Sequence, residues 1–296
     1  MKNLSRNLAQ KIAHSSFLER GKILWEQNQK DWNFQLSKPD KVLTGAFLIL
    51  DHYSTGQFPP TFADQQKVYE AERAAKVLPG LSDEEARDPA RRKPFWYNKF
   101  GCGYIRHFAL LAESLLKIRV APPAKVLEFA CGGGWMSDFL AQMRYEVVGT
   151  TINPIDIEEA QRRAASYDIR KLDNKPQFIC APMEEVHDAT AHLGPFEAVI
   201  VYEALHHAFD WRKACEQAYK CLKPGGWFLL CNEPNLLHTL ISYRYSQMSK
   251  SPEIGFKKGE VFRHLKSCGF GKRVVLANRF GYFLRAFWIA VQRPPA

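Results

Sequence analysis

The residues best suited to chemistry sit in two short stretches. The first is Lys125 to Leu140, KVLEFACGGGWMSDFL, where the apolar pair Val126-Leu127 runs into the acid Glu128 and the chain breaks at Ala130-Cys131-Gly132-Gly133-Gly134. Glycines there allow left-handed backbone angles and leave no Cβ to hold a ligand at a distance. Glu128, four residues before Gly132, attracts a cationic portion of a ligand and repels a pyrophosphate at close range. The competing GxGxxG fingerprint of nicotinamide and flavin enzymes needs Gly or Ala where this chain has Ser137. The second stretch is Tyr202-Glu203-Ala204-Leu205-His206-His207. His206 is a candidate general base near neutral pH, or else a packing residue beside the ligand, and Glu203 is a second catalytic candidate.

These groups need a scaffold that presents strand ends to a ligand. Met136, Phe139, Leu140 and Met143 fall at i, i+3, i+4 and i+7, so a helix follows the glycine turn. Strands are expected at Val126–Phe129, Glu146–Thr150, Gln177–Cys180, Ala198–Tyr202 and Trp227–Cys231, with helices between them. One helix opens at Asn153-Pro154, a capping residue followed by proline, with Asp156, Glu158 and Glu159 early and Arg162-Arg163 later, as the helix dipole favours. Another runs from Trp211 to Leu222 and stops at Lys223-Pro224-Gly225-Gly226. A helix over Glu260–Cys268 precedes strands at Lys272–Leu276 and Arg285–Val291, which pair antiparallel at the sheet edge. The fold class is α/β: a seven-stranded, mostly parallel, doubly wound sheet with an antiparallel C-terminal strand pair and an α-rich N-terminal extension.

The first 120 residues carry aromatic-rich short helices around Phe17, Leu24, Trp25, Trp32 and Phe34. Val42–Leu50 is buried and reads as helix or strand, Tyr53–Phe62 as a loop, Gln65–Ala75 as a helix and Leu78–Pro94 as a linker. The aromatic run Phe95–Phe100 follows, and Phe108, Leu111, Leu115 and Ile118 mark a helix ended by Pro122-Pro123. The seven cysteines are scattered and form no CxxC pair, which fits reduced thiols in a cytoplasmic protein rather than a disulfide or zinc framework. No apolar run is long enough to span a bilayer. The net charge of +10 is spread along the chain and reads as a solvated basic surface.

VLEFACGGG at the first strand, VVGTTINP at the second, FEAVIVYEALHH at the fourth and AYKCLKPGGWFLL before the fifth together resemble a class I S-adenosylmethionine-dependent methyltransferase over residues 125 to 293. The resemblance implies S-adenosyl-L-methionine as cofactor, no metal, and a domain at 121–296. Residues 1–120 and the insert 234–258 would then form a lid that selects the acceptor. Glu128 resembles the acid that holds the methionine end, with Ala130, Cys131, Gly132 and Gly134 forming the turn beside it. Ala130 departs from the usual glycine. Thr151 stands where relatives carry a ribose-binding acid; Asp156 is its candidate substitute, or else an acid serving the helix dipole. Met183 and Glu184 occupy the adenine side, where Pro182 replaces a usual acid, and Tyr202 closes over the cofactor. The acceptor expected is a small or medium organic molecule methylated on oxygen, nitrogen or carbon. Two alternatives stand beside it: an RNA acceptor, not favoured because the fourth strand lacks the motif of nucleic-acid amino methylators, and a non-catalytic cofactor-binding protein, suggested by the departures at Ala130, Thr151 and Pro182.

Overall fold

The computed structural model describes residues 2–31, 34–76, 88, 91–95, 101–170, 173–277 and 286–296. The helices are α1 Lys2–Ala13, α2 Ser16–Lys30, α3 Lys38–Thr55, α4 Gln65–Lys76, α5 Gly101–Lys117, α6 Trp135–Gln142, α7 Pro154–Arg170, α8 Val186–Thr190, α9 Trp211–Cys221, α10 Thr239–Ser249 and α11 Lys258–Ser267. The strands are β1 Lys125–Phe129, β2 Glu146–Thr151, β3 Gln177–Cys180, β4 Phe196–Tyr202, β5 Leu222–Glu233, β6 Arg273–Val275 and β7 Phe287–Gln292.

Packing divides the chain into one unit of Met1–Ala75 with Pro234–Lys257 and a second of Lys76–Glu233 with Lys258–Ala296. The first is helical. Ser37 accepts the Asp40 N–H to start α3, and Gly56 at φ 81° stops it. The apolar run Val42–Leu50 is therefore helix interior, and Tyr53–Thr55, read as loop, complete the last turn. Phe47 and Leu48 pack with Ala13, Leu18 and Tyr243, while the Tyr243 hydroxyl lies 2.8 Å from His52 Nδ1.

The second unit holds a seven-stranded sheet among the described residues, in the order β3-β2-β1-β4-β5-β7-β6. β7 runs antiparallel to both β5 and β6; the other pairings are parallel. Chain progression reverses direction between β1 and β4, the switch point beyond which open α/β sheets bind ligands. The unit boundary falls at residue 75, earlier than the expected 120, because α5 buries Leu111 and Leu115 in the sheet's own apolar cluster. β5 also differs at both ends from its expected Trp227–Cys231. It starts at Leu222, paired with Phe196, and carries the Pro-Gly-Gly segment through a register shift before Ala198 meets Trp227. At its far end it continues to Glu233, opposite Phe287. The linker 78–94 and the aromatic run 95–100 lie largely outside the described residues, as do Trp32 and Arg285.

Candidate active site

The three central strands end in left-handed backbone. Ala130 after β1 has φ 52°, Glu203 after β4 φ 48°, and Asn232 near the end of β5 φ 57°. Non-glycine residues adopt such angles at a cost of about 1–2 kcal/mol, and they concentrate where a structure must aim groups at a ligand. Ala130 thus takes the conformation a glycine would have taken, methyl group included. Within the same turn, the Cys131 N–H donates to the Thr150 carbonyl at 2.7 Å and the Gly134 N–H to the Cys131 carbonyl at 3.0 Å. A Cβ on Gly134 would meet Ala160 and Phe178 at 2.8 Å, whereas one on Gly132 would meet nothing within 4 Å. The turn is therefore locked against α7 and β3 at Gly134 and open at Gly132.

Glu128 is only 3% exposed and accepts a hydrogen bond from the Ser137 hydroxyl. Burial pushes its carboxyl up to about 8, against the pull of that hydrogen bond. Ser137, which in the sequence only argued against a dinucleotide site, is thus the residue that orients the acid.

Thr151 is buried at the end of β2, and its carbonyl accepts the Ala181 N–H at 3.0 Å. Asn153 caps α7 by accepting the Ile155 N–H at 3.1 Å, which sets Asp156 in the buried first turn. Met183 is buried beyond β3. Glu184, also buried, accepts the Asp210 N–H at 2.8 Å and so ties its segment to the start of α9. The register Glu128–Gly149 and Thr151–Cys180 brings the ends of β1, β2 and β3, from which these segments continue, to one edge of the sheet.

Tyr202 stands among aromatic rings. Its hydroxyl lies 2.7 Å from His107 Nδ1, and its ring centroid is 6.0 Å from Trp135 and 6.2 Å from Trp288. Burial, then Glu203 and Tyr104, drive the phenol well above its ordinary range, while burial pulls His107 down against the Glu203 charge. Both groups stay neutral at physiological pH. Glu203 itself is exposed and accepts from the Asn232 amide.

His206 has a side chain 9% exposed, with Nδ1 3.0 Å from Glu233 Oε2. Glu233 is fully buried, and its Oε1 accepts the N–H groups of Ala204 at 2.9 Å and Leu205 at 3.0 Å. One carboxylate therefore shapes the loop after β4 and holds the imidazole. With Nδ1–H donating to Glu233, Nε2 keeps a lone pair, the tautomer a base requires. Glu233 escaped sequence reading because β5 was expected to end at Cys231.

A family described as "Methyltransferase domain" matches residues 127–230. The ubiquinone biosynthesis O-methyltransferase of Bordetella avium is 29% identical over 125 residues, covering 41% of this chain and 49% of that protein. The sterol 24-C-methyltransferase of Debaryomyces hansenii is 30% identical over 174 residues, covering 56% of this chain and 44% of that protein. The chain thus spans less than half the length of these relatives. The magnesium protoporphyrin IX methyltransferase of Synechocystis, solved with bound S-adenosylmethionine, matches with a TM-score of 0.54 at 16% identity, covering 79% of this chain and 99% of that one, a likeness of fold. Residues 127–230 match a methyltransferase domain, and the α/β sheet around them, with its antiparallel last strand pair, has the fold of the class I S-adenosylmethionine-dependent methyltransferases.

Proposed function

We propose that the protein transfers a methyl group from S-adenosyl-L-methionine to a small or medium organic acceptor. The observation that carries this reading is Glu128, a buried carboxylate pushed toward neutrality beside a turn whose Gly132 faces open space. A ligand ammonium there restores the charged form of the acid, and the open face of Gly132 admits ligand atoms close to backbone. The residues present fit the methionine end of the cofactor in that way. Thr151 and Asp156 are assigned to the ribose, Met183 and Glu184 to the adenine side, and Tyr202 to the wall over the site.

When bound, the sulfonium supplies a methyl group already activated for in-line displacement. The chain's task is then to position the acceptor and exclude water, which can supply most of the acceleration. Where the acceptor must lose a proton, His206 Nε2 takes it while Glu233 steadies the imidazolium through Nδ1. Glu203 fixes the loop through Asn232.

The acceptor class rests on the relatives' quinone and sterol chemistry, and acceptor selection is assigned to the helical unit, which the chain enters directly after Glu233. The cytoplasmic assignment rests on the seven scattered cysteines, which form no CxxC pair. Among the described residues no helix is long and apolar enough to cross a membrane.

Titration calorimetry with S-adenosylmethionine, followed by an acceptor screen with methyl-labelled cofactor, tests the proposal. Saturable binding and label transfer to a small molecule are expected; no binding at millimolar cofactor sinks it. In the screen, His206→Gln should lower kcat by roughly 10²–10⁴-fold for an acceptor that must be deprotonated.

A further inference from the structure

The end of the sheet opposite the proposed methyl-transfer site carries a concavity. A cavity of about 900 Å³ lies where β1, β4 and β5 begin and β7 ends. Its lining includes four cations from separate segments: Lys117 at the end of α5, Arg119 in the following turn, Lys223 at the start of β5 and Lys272 before β6. The lining contains one carboxylate, Glu197, which pairs with Lys223 at 2.6 Å and also accepts the Lys125 N–H at 2.7 Å. Lys117 spends one N–H on the Val275 carbonyl at 2.9 Å, and Lys272 stands over the Trp227 ring at 5.8 Å. The Arg119 guanidinium has no partner, and the Lys272 ammonium no hydrogen-bond or ion-pair partner, among the described residues.

An ammonium offers three N–H donors and a guanidinium five. Lys117 and Lys223 each commit one to the protein, so most of the donors around the cavity are unspent. Four positive charges against one paired carboxylate leave a strong surplus, focused inside a concavity rather than spread over a convex face. The volume lies within the roughly 300–1,000 Å³ of small-ligand sites. A duplex or an extended strand of nucleic acid is tracked by a groove or stripe of cations, whereas here the four line one concavity.

We propose that this cavity binds a small polyanion bearing a diphosphate or triphosphate group. Lys117, Arg119, Lys223 and Lys272 supply the charge-assisted hydrogen bonds. The site is separate from the cofactor turn, to which it is joined by the length of β1, about 17 Å of strand.

Calorimetry at fixed ionic strength, with S-adenosylhomocysteine present at saturation, tests this with inorganic pyrophosphate, with ATP and with a 20-nucleotide single-stranded RNA. The double variant Arg119→Glu/Lys272→Glu changes exposed residues only and serves as the control. Saturable pyrophosphate binding, weakened at least tenfold in the double variant, is expected. ATP binding tenfold tighter than pyrophosphate and lost in the same variant assigns a nucleotide; equal affinities assign the phosphate group itself, and both uphold the site. No saturation by pyrophosphate at millimolar concentration, equal binding by wild type and variant, or binding of the RNA alone overturns it.

Discussion

The two ends of one sheet solve opposite electrostatic problems. Where β1, β4 and β5 finish, two acids are buried, Glu128 held by Ser137 and Glu233 held by two backbone N–H groups and His206. Where the same strands begin, the charged groups are cations, Lys117, Arg119 and Lys272 being exposed. A buried carboxylate is tolerated only with built partners or with a ligand that supplies one, so that end is specific and costly to disturb. Exposed cations keep their hydration, so the other end is tolerant and selects mainly by charge.

Substitutions can break or sharpen this contrast. Glu233→Ala should have the largest effect, because it strips the acceptor from two backbone donors and an imidazole, each costing about 1–3 kcal/mol. Urea unfolding should show a loss of at least about 3 kcal/mol; a loss below 1 kcal/mol would mean Glu233 is not the anchor of the loop.

Glu128→Gln should weaken S-adenosylmethionine binding roughly 10- to 150-fold, the worth of one hydrogen bond to a charged group. The same variant carries a pH signature. The Glu128 carboxyl titrates near its ordinary 4.5 in the unfolded chain and at about 8 in the fold. Between those values the folded state holds the extra proton, so stability from this group is fully present below the lower value and lost as pH rises through the upper one. The slope is at most about 1.4 kcal/mol per pH unit. Thermal melts of the unliganded protein should therefore fall across that window, and Glu128→Gln should flatten the fall. Proton release on cofactor binding at pH 6.5, read in buffers of different ionisation enthalpy, should vanish with it.

Ala130→Gly should stabilise by about 1 kcal/mol, since only the left-handed strain is relieved; a destabilised variant would show that the methyl group packs usefully. At the opposite end, Arg119→Glu/Lys272→Glu should shift stability by no more than about 0.5 kcal/mol, as exposed positions do. A larger loss would erase the distinction between the two ends.

Much of this was legible in the chain itself. Alternating strand and helix patterns, the cap at Asn153-Pro154 and the glycine turn after Glu128 are local signals, and the structure places the corresponding elements within a few residues. Errors arose where local and tertiary preferences compete. Lys223-Pro224-Gly225-Gly226 has turn chemistry, yet pairing with β4 draws it into β5 through a register shift. Tyr202's partner, His107, lies 95 residues away, and nothing in sequence spacing connects them. Ser137 was visible in the sequence only as a departure from the dinucleotide fingerprint: its place nine residues after Glu128 acquires its second meaning once the turn folds the helix back over the strand end.

By itself, the sequence determined the order of the strands along the chain, the turn that opens toward a ligand and the acid beside it, because hydrophobic period, caps and glycine positions act over a few residues. The tertiary structure alone decided which groups share a strand end. It set Glu233 under His206, raised the Glu128 carboxyl by burial and gathered four scattered cations around one cavity. Burial, pairing and field strength depend on distances through space that spacing along a chain does not encode.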